Sequence, residues 1–412
     1  MNQRDVFALT YAAYIAVYFT RKPFSVAKST LTTTGAHSES ELGLIDTAFL
    51  IAYAAGQFGS GFIALSVGVK VGLTISYIGT GICAFFFGFS QSKDVRAIAW
   101  FLNGIFQAQF FPFIMEVLGA WFPPSSRGQI MGLWTSCQQV GGFATSSFGA
   151  YVLSNPNMTW RDVFILPSYL SFLFAFITLA VLQPAPPKLP AKASSEDKEN
   201  KSSKPAPKSF MATLSVPFLF NISSAYFFIK LVRYTYLGWL PYYMTSVLGF
   251  SAAESVLMSS VFDLAGTIGS VVCGFVSDKL FGGHSAKVIA PMCLLCGMFT
   301  IVYPQVAAIS STCNLLIMGA VGLFVAGPDS MLGGAACAEI CGRANQPSAA
   351  TMATGIANGM GSLGAIASGL LPILIKDHFG WTMLFNTLGG LAILGGVLLL
   401  PMLKSPVKTK DA

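Results

Sequence analysis

The chain has 412 residues, of which 54% are hydrophobic and 10% are charged, and its formal net charge is +7 at pH 7. Soluble domains carry about 25% charged residues, so this composition excludes an ordinary soluble protein and indicates a chain that crosses a membrane many times. The eight cysteines are scattered through apolar stretches and the three histidines fall in predicted loops, so we predict neither a disulfide framework nor a metal site.

Predominantly apolar stretches of the length that a bilayer span needs, about 20 residues, recur along the whole chain. In chain order they are 6–33, 42–64, 68–91, 95–120, 127–153, 162–182, 214–248, 252–278, 286–308, 312–338, 347–375 and 382–403. The sequence therefore predicts an all-α membrane protein with twelve transmembrane helices, six in an N-terminal half (1–183) and six in a C-terminal half (214–404). The first span lacks a signal-peptide cleavage site, so we expect it to remain in the mature protein.

The stretch 184–213 departs from the apolar pattern, because it is rich in proline, serine and charge. This composition predicts a basic, disordered linker between the halves. Of the 24 basic residues, fifteen fall on the side of the linker and the termini and four on the opposite side, so the positive-inside rule places the linker and the tail (405–412) in the cytosol. The other five lie within spans one and seven: Arg21, Lys22, Lys28, Lys230 and Arg233.

The two halves resemble copies of one another. Arg21 and Arg233 are 212 positions apart, and Asp46 and Asp263 are 217 positions apart. A parallel repeat of six spans is typical of the major facilitator architecture, in which the substrate binds between the halves near the bilayer midplane. The sequence predicts this fold.

Arg21 and Arg233 lie near the middle of spans one and seven, where a charged residue costs at least about 2.5–3.5 kcal/mol. We expect Asp46 and Asp263 to supply part of the compensating charge and a phosphate dianion to supply the rest, since a guanidinium group binds phosphate oxygens bidentately. The alternative is that span one ends before Arg21, but the fifteen remaining residues are too short for a bilayer. Pro23, which has no amide hydrogen, is expected to bend the helix at this point.

Tyrosines accompany both arginines. Tyr14, Tyr18 and Arg21 follow the i, i+4, i+7 spacing of one helix face, and Tyr234 follows Arg233 directly. Their hydroxyl groups are predicted to bind phosphate or sugar oxygens; the alternative is that the tyrosines are lipid-interface anchors.

Four segments closely resemble the organophosphate/phosphate antiporters of the major facilitator superfamily, in particular the eukaryotic sugar-phosphate exchangers related to the endoplasmic reticulum glucose-6-phosphate transporter. These segments are YFTRKPFSVAKSTL, GLIDTAFLIAYAAGQF, FFIKLVRYTYLGWLPYYM and FDLAGTIGSVVCGFVSDK. The resemblance implies exchange of a sugar phosphate or another organic phosphate ester, with glucose 6-phosphate favoured, for inorganic phosphate by rocker-switch alternating access, without a cofactor. It implies that Arg21 and Arg233 bind phosphate and that Tyr14, Tyr18 and Tyr53 contact the substrate.

The sequence also departs from this family. Gln138 stands where bacterial glycerol-3-phosphate carriers place a histidine, and Gly238 and Gln57 replace two of their salt-bridge partners. Lys22 and Asp263 are the partners that remain, one in each half. We predict that they form an ion pair, since either one buried alone would cost several kcal/mol.

Further residues are assigned to specificity and gating. Gln138 and Asn358 are predicted to contact the organic part of the substrate, with helix packing as the alternative role. The segment GFVSDK resembles the gating-loop motif of the superfamily, so Asp278 and Lys279 in this predicted cytosolic turn are gating candidates. Glu116 and Asp329, in spans four and ten, are candidate proton carriers, but this role is disfavoured because both approach the ends of spans or turns.

The tail KTKDA resembles a retrieval signal of endoplasmic reticulum membrane proteins, and Asn157 begins a glycosylation sequon in a predicted lumenal loop. We therefore favour the endoplasmic reticulum membrane, with a plastid or plasma membrane as alternatives, and expect a monomer with no nucleic-acid partner. Two other functions stay open: a proton-coupled symporter of another organic anion, and a non-transporting membrane scaffold or sensor. An enzyme is not expected, because no nucleophile or acid–base cluster is apparent.

Overall fold

A computed structural model describes residues 1–122, 130, 133–186, 213–346 and 349–403, and these residues contain helices and no strand. The predicted linker 184–213 lies largely outside the described residues, and the tail 405–412 lies entirely outside them. The disorder of the linker and the retrieval signal in the tail stay predictions.

Helices occur in every predicted span. The helices of the first part of the chain are α1 (Gln3–Arg21), α2 (Pro23–Thr33), α3 (Glu39–Val67), α4 (Val69–Phe89), α5 (Lys93–Gln107), α6 (Phe110–Trp121), α7 (Cys137–Ser154) and α8 (Asp162–Val181). Those of the second part are α9 (Leu219–Ser246), α10 (Ala252–Phe281), α11 (Ala286–Ala307), α12 (Ser311–Leu332), α13 (Ala335–Arg343) and α14 (Ala350–Leu403). The long α14 consists of two helices that meet at Gly380, whose φ of 80° is one that a glycine adopts without strain.

Seven helical stretches within the described residues are long and apolar enough to cross a membrane, fewer than the twelve predicted. The difference has physical causes. Span one is divided into helices of 19 and 11 residues. The charges of Lys230 and Arg233 make α9 less apolar. The stretch Met352–Leu403 is one of the seven although it contains two predicted spans. Large apolar side chains are exposed on the helices, such as Phe176 and Leu316 at 69% and 70%, as expected for surfaces that face lipid.

The break between α1 and α2 lies inside predicted span one. Lys22 keeps helical backbone angles (φ −85°, ψ −16°) and is followed by Pro23 at the first position of α2. Because proline has no amide hydrogen and its ring crowds the preceding turn, the helix cannot continue unbroken through this point. The interruption leaves Arg21 and Lys22 at a helix junction, away from both ends of the span.

The described chain groups into two compact units. Unit 1 consists of Met1–Pro187 with Leu237–Asp263, and unit 2 consists of Lys188–Tyr236 with Leu264–Ala412. Residues 237–263 join unit 1 because they contact α2 and α3; for example, the Ser25 hydroxyl donates to the Leu237 carbonyl at 2.7 Å, and the Tyr242 hydroxyl donates to Glu39 at 2.5 Å. The division into a 1–183 half and a 214–404 half stays a prediction.

Each unit is built around buried aromatic side chains. In unit 1, Tyr77 and Trp134 are 1% and 0% exposed, and both are tied to α1: the Tyr77 hydroxyl donates to the Ala13 carbonyl at 2.6 Å, and the Trp134 indole donates to Thr10 at 3.2 Å. In unit 2, the ring of Tyr303 lies 5.1–5.8 Å from those of Tyr236 and Phe385, which joins α9, α11 and α14. This packing fixes α1 and α9, the helices that carry Arg21, Lys230 and Arg233.

Candidate functional site

Lys22 and Asp263 lie together in unit 1. The Lys22 ammonium is 2.6 Å from the Asp263 carboxylate and also donates to the Gly142 carbonyl of α7 at 3.2 Å. Their side chains are 12% and 9% exposed, so the charges are largely withdrawn from solvent. The helix junction after Arg21 positions Lys22 for this contact, and Asp263 comes from the middle of α10. The sequence analysis predicted this ion pair, and it also expected Asp263 to balance part of the charge of the arginines; in the structure the Asp263 carboxylate contacts Lys22.

Arg21 lies over an aromatic ring of α3. Its guanidinium carbon is 4.6 Å from the centroid of the Tyr53 ring, and one guanidinium nitrogen donates to the Tyr53 hydroxyl at 3.5 Å. A guanidinium group over a tyrosine face gains roughly 0.5–2 kcal/mol, depending on how far it is desolvated. Both contacts hold the Arg21 guanidinium against the side chain of Tyr53.

The other predicted tyrosines of α1 occupy different environments. Tyr18 is half-buried, and its hydroxyl donates to the side chain of Gln138 in α7 at 3.2 Å. Tyr14 is only 3% exposed, and its ring lies 4.9 Å from that of Trp134 and 6.0 Å from that of Tyr18. Tyr18, Gln138, Tyr53 and Arg21 therefore lie in one region of unit 1, whereas Tyr14 belongs mainly to the packed core beneath them.

A second ion pair in unit 1 was missed by sequence reasoning. The Lys28 side chain is 0% exposed, its ammonium is 3.0 Å from the Asp46 carboxylate, and the same ammonium lies 3.7 Å from the centroid of the Trp239 ring. This cluster joins α2, α3 and α9, and Gly238 leaves room for it beside the carboxylate. Asp46 therefore compensates Lys28, not the arginines as expected. The sequence did carry one signal for this pair: Lys28 lies one helical turn after Phe24, and the next predicted span carries the carboxylate of Asp46.

In unit 2, Arg233 of α9 forms an ion pair with Asp329 of α12. The side chains are 18% and 12% exposed. Sequence analysis considered Asp329 only as a proton carrier near the end of a span; the structure places it in the last turn of α12, beside Pro328, where it contacts the arginine. The charge of Arg233 is thus balanced by a carboxylate within its own unit.

Lys230 lies one turn before Arg233 on the same helix. Its ammonium is 5.2 Å from the ring centroids of both Tyr226 and Tyr234. The ammonium also hydrogen-bonds the Tyr226 side chain and is attracted electrostatically by the Asp329 carboxylate. Sequence reasoning placed Lys230 within span seven but gave it no role.

Asn358 of α14 lies near these α9 side chains. Its amide nitrogen donates to the carbonyl groups of Gly333 and Thr354 at 2.8 and 2.9 Å. Gly333 has no side chain, and a Cβ added there would lie 2.9 Å from the Asn358 amide oxygen. The same added Cβ would lie 2.6 Å from the phenol oxygen of Tyr226, so only a glycine fits between these two side chains. Asn358 is exposed, and its amide nitrogen donates to backbone.

The predicted gating segment is helical. Asp278 and Lys279 lie in the last turn of α10, which continues to Phe281, so the predicted turn at 274–279 is wrong. The helix ends instead where Gly282 and Gly283 take positive φ values of 59° and 82°. Asp278 and Lys279 are both exposed, and their gating role stays a prediction.

Two loop histidines are buried. His37, between α2 and α3, is 2% exposed, and His284, between α10 and α11, is 1% exposed. Burial lowers the pKa of both imidazoles below the usual value; for His284 the nearby Arg343 acts in the same direction and the Glu339 carboxylate opposes it. His284 lies 3.4 Å from Glu339 without hydrogen-bond geometry. Both are therefore predominantly neutral at pH 7.

The chain is similar to known transport proteins along nearly its whole length. A family model described as the Major Facilitator Superfamily matches residues 10–336. Putative glycerol-3-phosphate transporter 2 of Arabidopsis thaliana is 30% identical over 98% of this chain and 87% of that protein. The glucose-6-phosphate exchanger SLC37A2 of Bos taurus is 27% identical over 96% of this chain and 92% of that protein. Sugar phosphate exchanger 3 of Homo sapiens is also 27% identical, over 92% and 88%.

Solved structures share the fold. The crystal structure of a bacterial homolog to the human lysosomal transporter Spinster, in an inward-facing and unoccupied conformation, matches with a TM-score of 0.77. The match covers 97% of this chain and 95% of that chain at 15% identity, so the likeness concerns the fold alone. It confirms the predicted major facilitator architecture.

Proposed function

We propose that this protein, which belongs to the Major Facilitator Superfamily and within it to the organophosphate:phosphate antiporter family, exchanges an organic phosphate ester for inorganic phosphate across a membrane. The family consists of transporters, not enzymes, and its members are multi-pass membrane proteins. The identity of the ester, the obligatory exchange and the membrane are parts of the proposal.

The observation that carries the proposal is the set of cations within the predicted membrane spans. Arg21 lies beside the hydroxyl group of Tyr53, and Lys230 and Arg233 lie one turn apart on α9. A cation at this depth is costly, so a phosphate dianion that binds to these groups lowers the free energy of the protein.

The groups around Arg21 suit a phosphate monoester. A guanidinium group offers parallel N–H donors that match two phosphate oxygens, and the hydroxyl groups of Tyr53 and Tyr18 add neutral donors nearby. Gln138 and Asn358, which are amides, carry no charge that would repel a dianion and can bind sugar hydroxyl groups. We assign the phosphate to Arg21 and Arg233 and the organic part to Gln138, Asn358 and the tyrosines.

Exchange follows from the same charges. When no anion is bound, any intermediate that shields these cations from water is raised in free energy, because charged groups are costly away from water. A bound phosphate removes this penalty. Inorganic phosphate and an organic monoester present the same dianionic headgroup, so either one permits reorientation, whereas the empty protein reorients slowly. The result is one-for-one exchange driven by two concentration gradients.

The preferred ester is a sugar phosphate or glycerol phosphate in this proposal, with glucose 6-phosphate favoured. The names of the relatives support both classes, since they include glycerol-3-phosphate transporters and a glucose-6-phosphate exchanger. The basic tail supports a location in the endoplasmic reticulum membrane with cytosolic termini, and we propose that the protein acts as a monomer.

The test is uptake of labelled phosphate into proteoliposomes. Vesicles are preloaded with phosphate, glucose 6-phosphate, glycerol 3-phosphate, phosphoenolpyruvate or buffer alone. We expect rapid uptake only into vesicles that contain phosphate or an accepted ester, and loss of that uptake in Arg21→Ala. Arg4→Ala is the matched control, since Arg4 is exposed on the same helix.

Two results contradict the proposal. Equal uptake into loaded and empty vesicles would exclude obligatory exchange. Uptake that follows an imposed pH gradient and ignores the internal phosphate would favour the proton-coupled symporter of another organic anion.

A further inference from the structure

Two hydroxyl groups in unit 1, those of Tyr11 and Ser136, join α1 to the residue that precedes α7. Their oxygens lie 2.9 Å apart, and the Ser136 oxygen also lies 2.7 Å from the Leu133 carbonyl oxygen. Because a carbonyl oxygen only accepts hydrogen bonds, the single hydroxyl hydrogen of Ser136 goes to Leu133. The hydrogen between the two hydroxyl groups therefore comes from Tyr11, and both hydroxyl hydrogens are used within the protein.

This hydroxyl pair, Tyr11 and Ser136, offers acceptor sites to a bound molecule. A hydroxyl oxygen has two acceptor lone pairs. Within the part of the chain that the structure describes, the Tyr11 oxygen accepts no hydrogen bond and the Ser136 oxygen accepts one. A sugar hydroxyl group can donate to these oxygens. A phosphate dianion has no hydrogen to donate, so the pair suits the organic part of a phosphate ester and not its phosphoryl group.

The surroundings of the pair favour a polar path over lipid. Tyr11 and Ser136 are both half-buried, so part of each side chain is accessible. An unfilled acceptor site that faces hydrocarbon is costly, since lipid chains offer no hydrogen bond. We therefore expect the accessible side of the pair to face water or substrate.

The hydroxyl pair adjoins the groups to which the organic part of the substrate is assigned. Tyr18 lies seven residues after Tyr11, on the same face of α1. Its hydroxyl donates to Gln138, which lies two residues after Ser136 and thus only about 3 Å further along the helix axis. Gly141 allows close packing at this face, because a Cβ added there would lie 3.0 Å from the Cβ of Tyr18.

We propose, on the basis of the function proposed above, that the hydroxyl pair accepts a hydrogen bond from the sugar and makes the transporter favour hexose phosphates over glycerol phosphate. Arg21, to which the phosphate is assigned, lies ten residues, or about 15 Å, further along α1 than Tyr11. A hexose phosphate bound at Arg21 extends its far hydroxyl groups past Gln138 toward the pair. Glycerol phosphate has three carbons fewer and ends before the pair.

The experiment measures inhibition of phosphate–phosphate exchange in proteoliposomes. The inhibitors are glucose 6-phosphate, glycerol 3-phosphate and a set of glucose 6-phosphate analogues in which fluorine replaces each sugar hydroxyl group in turn. Fluorine is small but donates no hydrogen bond. For the natural protein we expect at least one analogue to need a concentration for half-inhibition about threefold to tenfold higher than glucose 6-phosphate.

Tyr11→Phe removes the phenol oxygen and keeps the ring. In this variant the half-inhibition concentration of glucose 6-phosphate should rise toward that of the sensitive analogue. The values for the analogue and for glycerol 3-phosphate should change little. Ser136→Ala removes the other oxygen and releases the Tyr11 hydrogen, so it should also narrow the difference between glucose 6-phosphate and the analogue.

Tyr169→Phe is the matched control, because it makes the same chemical change at a tyrosine of α8 that is 57% exposed. If the hydroxyl pair only packs α1 against α7, Tyr11→Phe lowers the exchange rate without changing the ratio of the half-inhibition concentrations. That outcome overturns the assignment. It is also overturned if every analogue inhibits the natural protein as strongly as glucose 6-phosphate does.

The outcomes separate the two proposals. If the natural protein exchanges phosphate but glucose 6-phosphate inhibits no better than glycerol 3-phosphate, only the role of the hydroxyl pair is refuted. If the natural protein shows no phosphate-dependent exchange, both proposals fail. If Tyr11→Phe does not fold, Ser136→Ala supplies the ratio that decides.

Discussion

The ion pair between Lys28 and Asp46 gives a stability prediction with a definite sign and size. Lys28 is 0% exposed and Asp46 is 20% exposed, so the two partners are not equivalent. Asp46→Asn leaves a fully buried ammonium without its carboxylate and should lower the free energy of unfolding by about 3–5 kcal/mol. The Trp239 ring 3.7 Å away recovers part of the loss, roughly 2 kcal/mol at most for a desolvated contact.

Substitution of Lys28 should lower the free energy of unfolding less than substitution of Asp46 does. Lys28→Met removes the buried charge and leaves a carboxylate that water reaches, so we expect a loss of about 1–3 kcal/mol. The double variant Lys28→Met/Asp46→Asn leaves no charge at the site and should be more stable than Asp46→Asn alone. The assay is equilibrium unfolding in mixed detergent micelles with increasing sodium dodecyl sulfate, followed by tryptophan fluorescence, analysed as a double-mutant cycle.

The same double-mutant cycle can refute the prediction that this ion pair stabilises the protein. If the destabilisation of the double variant equals the sum of the two single destabilisations, the coupling energy is zero and the contact does not stabilise the protein. If Asp46→Asn has the stability of the natural protein, Lys28 is not buried with its charge as the structure describes.

The remaining predictions concern a second ion pair and a buried histidine. Lys22→Asp and Asp263→Lys should each abolish exchange, and the charge-swapped double variant should restore a measurable part of it in proteoliposomes; absence of rescue would refute a functional pairing. The lowered pKa of His284 means that the unfolded chain binds a proton at a higher pH than the folded protein, so stability is complete above about pH 6.5 and falls as the pH decreases below that value. His284→Gln should flatten the pH dependence of the midpoint of thermal unfolding between pH 7.5 and 5.5, and the exposed His378 provides the control substitution His378→Gln, which should leave it unchanged.

The apolar pattern of the sequence was enough to predict the fold. Runs of about 20 apolar residues, interrupted by short polar loops, located helices in all twelve predicted spans. Pro23 predicted an interruption beside Arg21, and the structure breaks the helix there, since the missing amide hydrogen is a local property that needs no tertiary information. The predicted span 252–278 ends before the helix does, at Phe281, although Gly282 and Gly283 mark the end of the helix in the sequence.

The partners of the charges were harder to predict. Lys22 and Asp263 were matched by elimination, as the two charges left after others had been replaced. Asp329 lies 96 residues from Arg233, and nothing in the local pattern of either helix indicates which neighbouring helix each side chain faces. The rotation of a helix about its axis depends on packing with other helices, and an apolar membrane helix gives little periodic signal for it.

Efflux of labelled phosphate from preloaded proteoliposomes is the most direct test of the central claim, that a phosphate dianion must bind to the intramembrane cations before the protein reorients. We predict that efflux is slow into phosphate-free buffer and accelerates at least tenfold when phosphate or glucose 6-phosphate is added outside. Efflux that is equally fast with and without external phosphate would contradict the claim, because the empty protein would then reorient as readily as the loaded one.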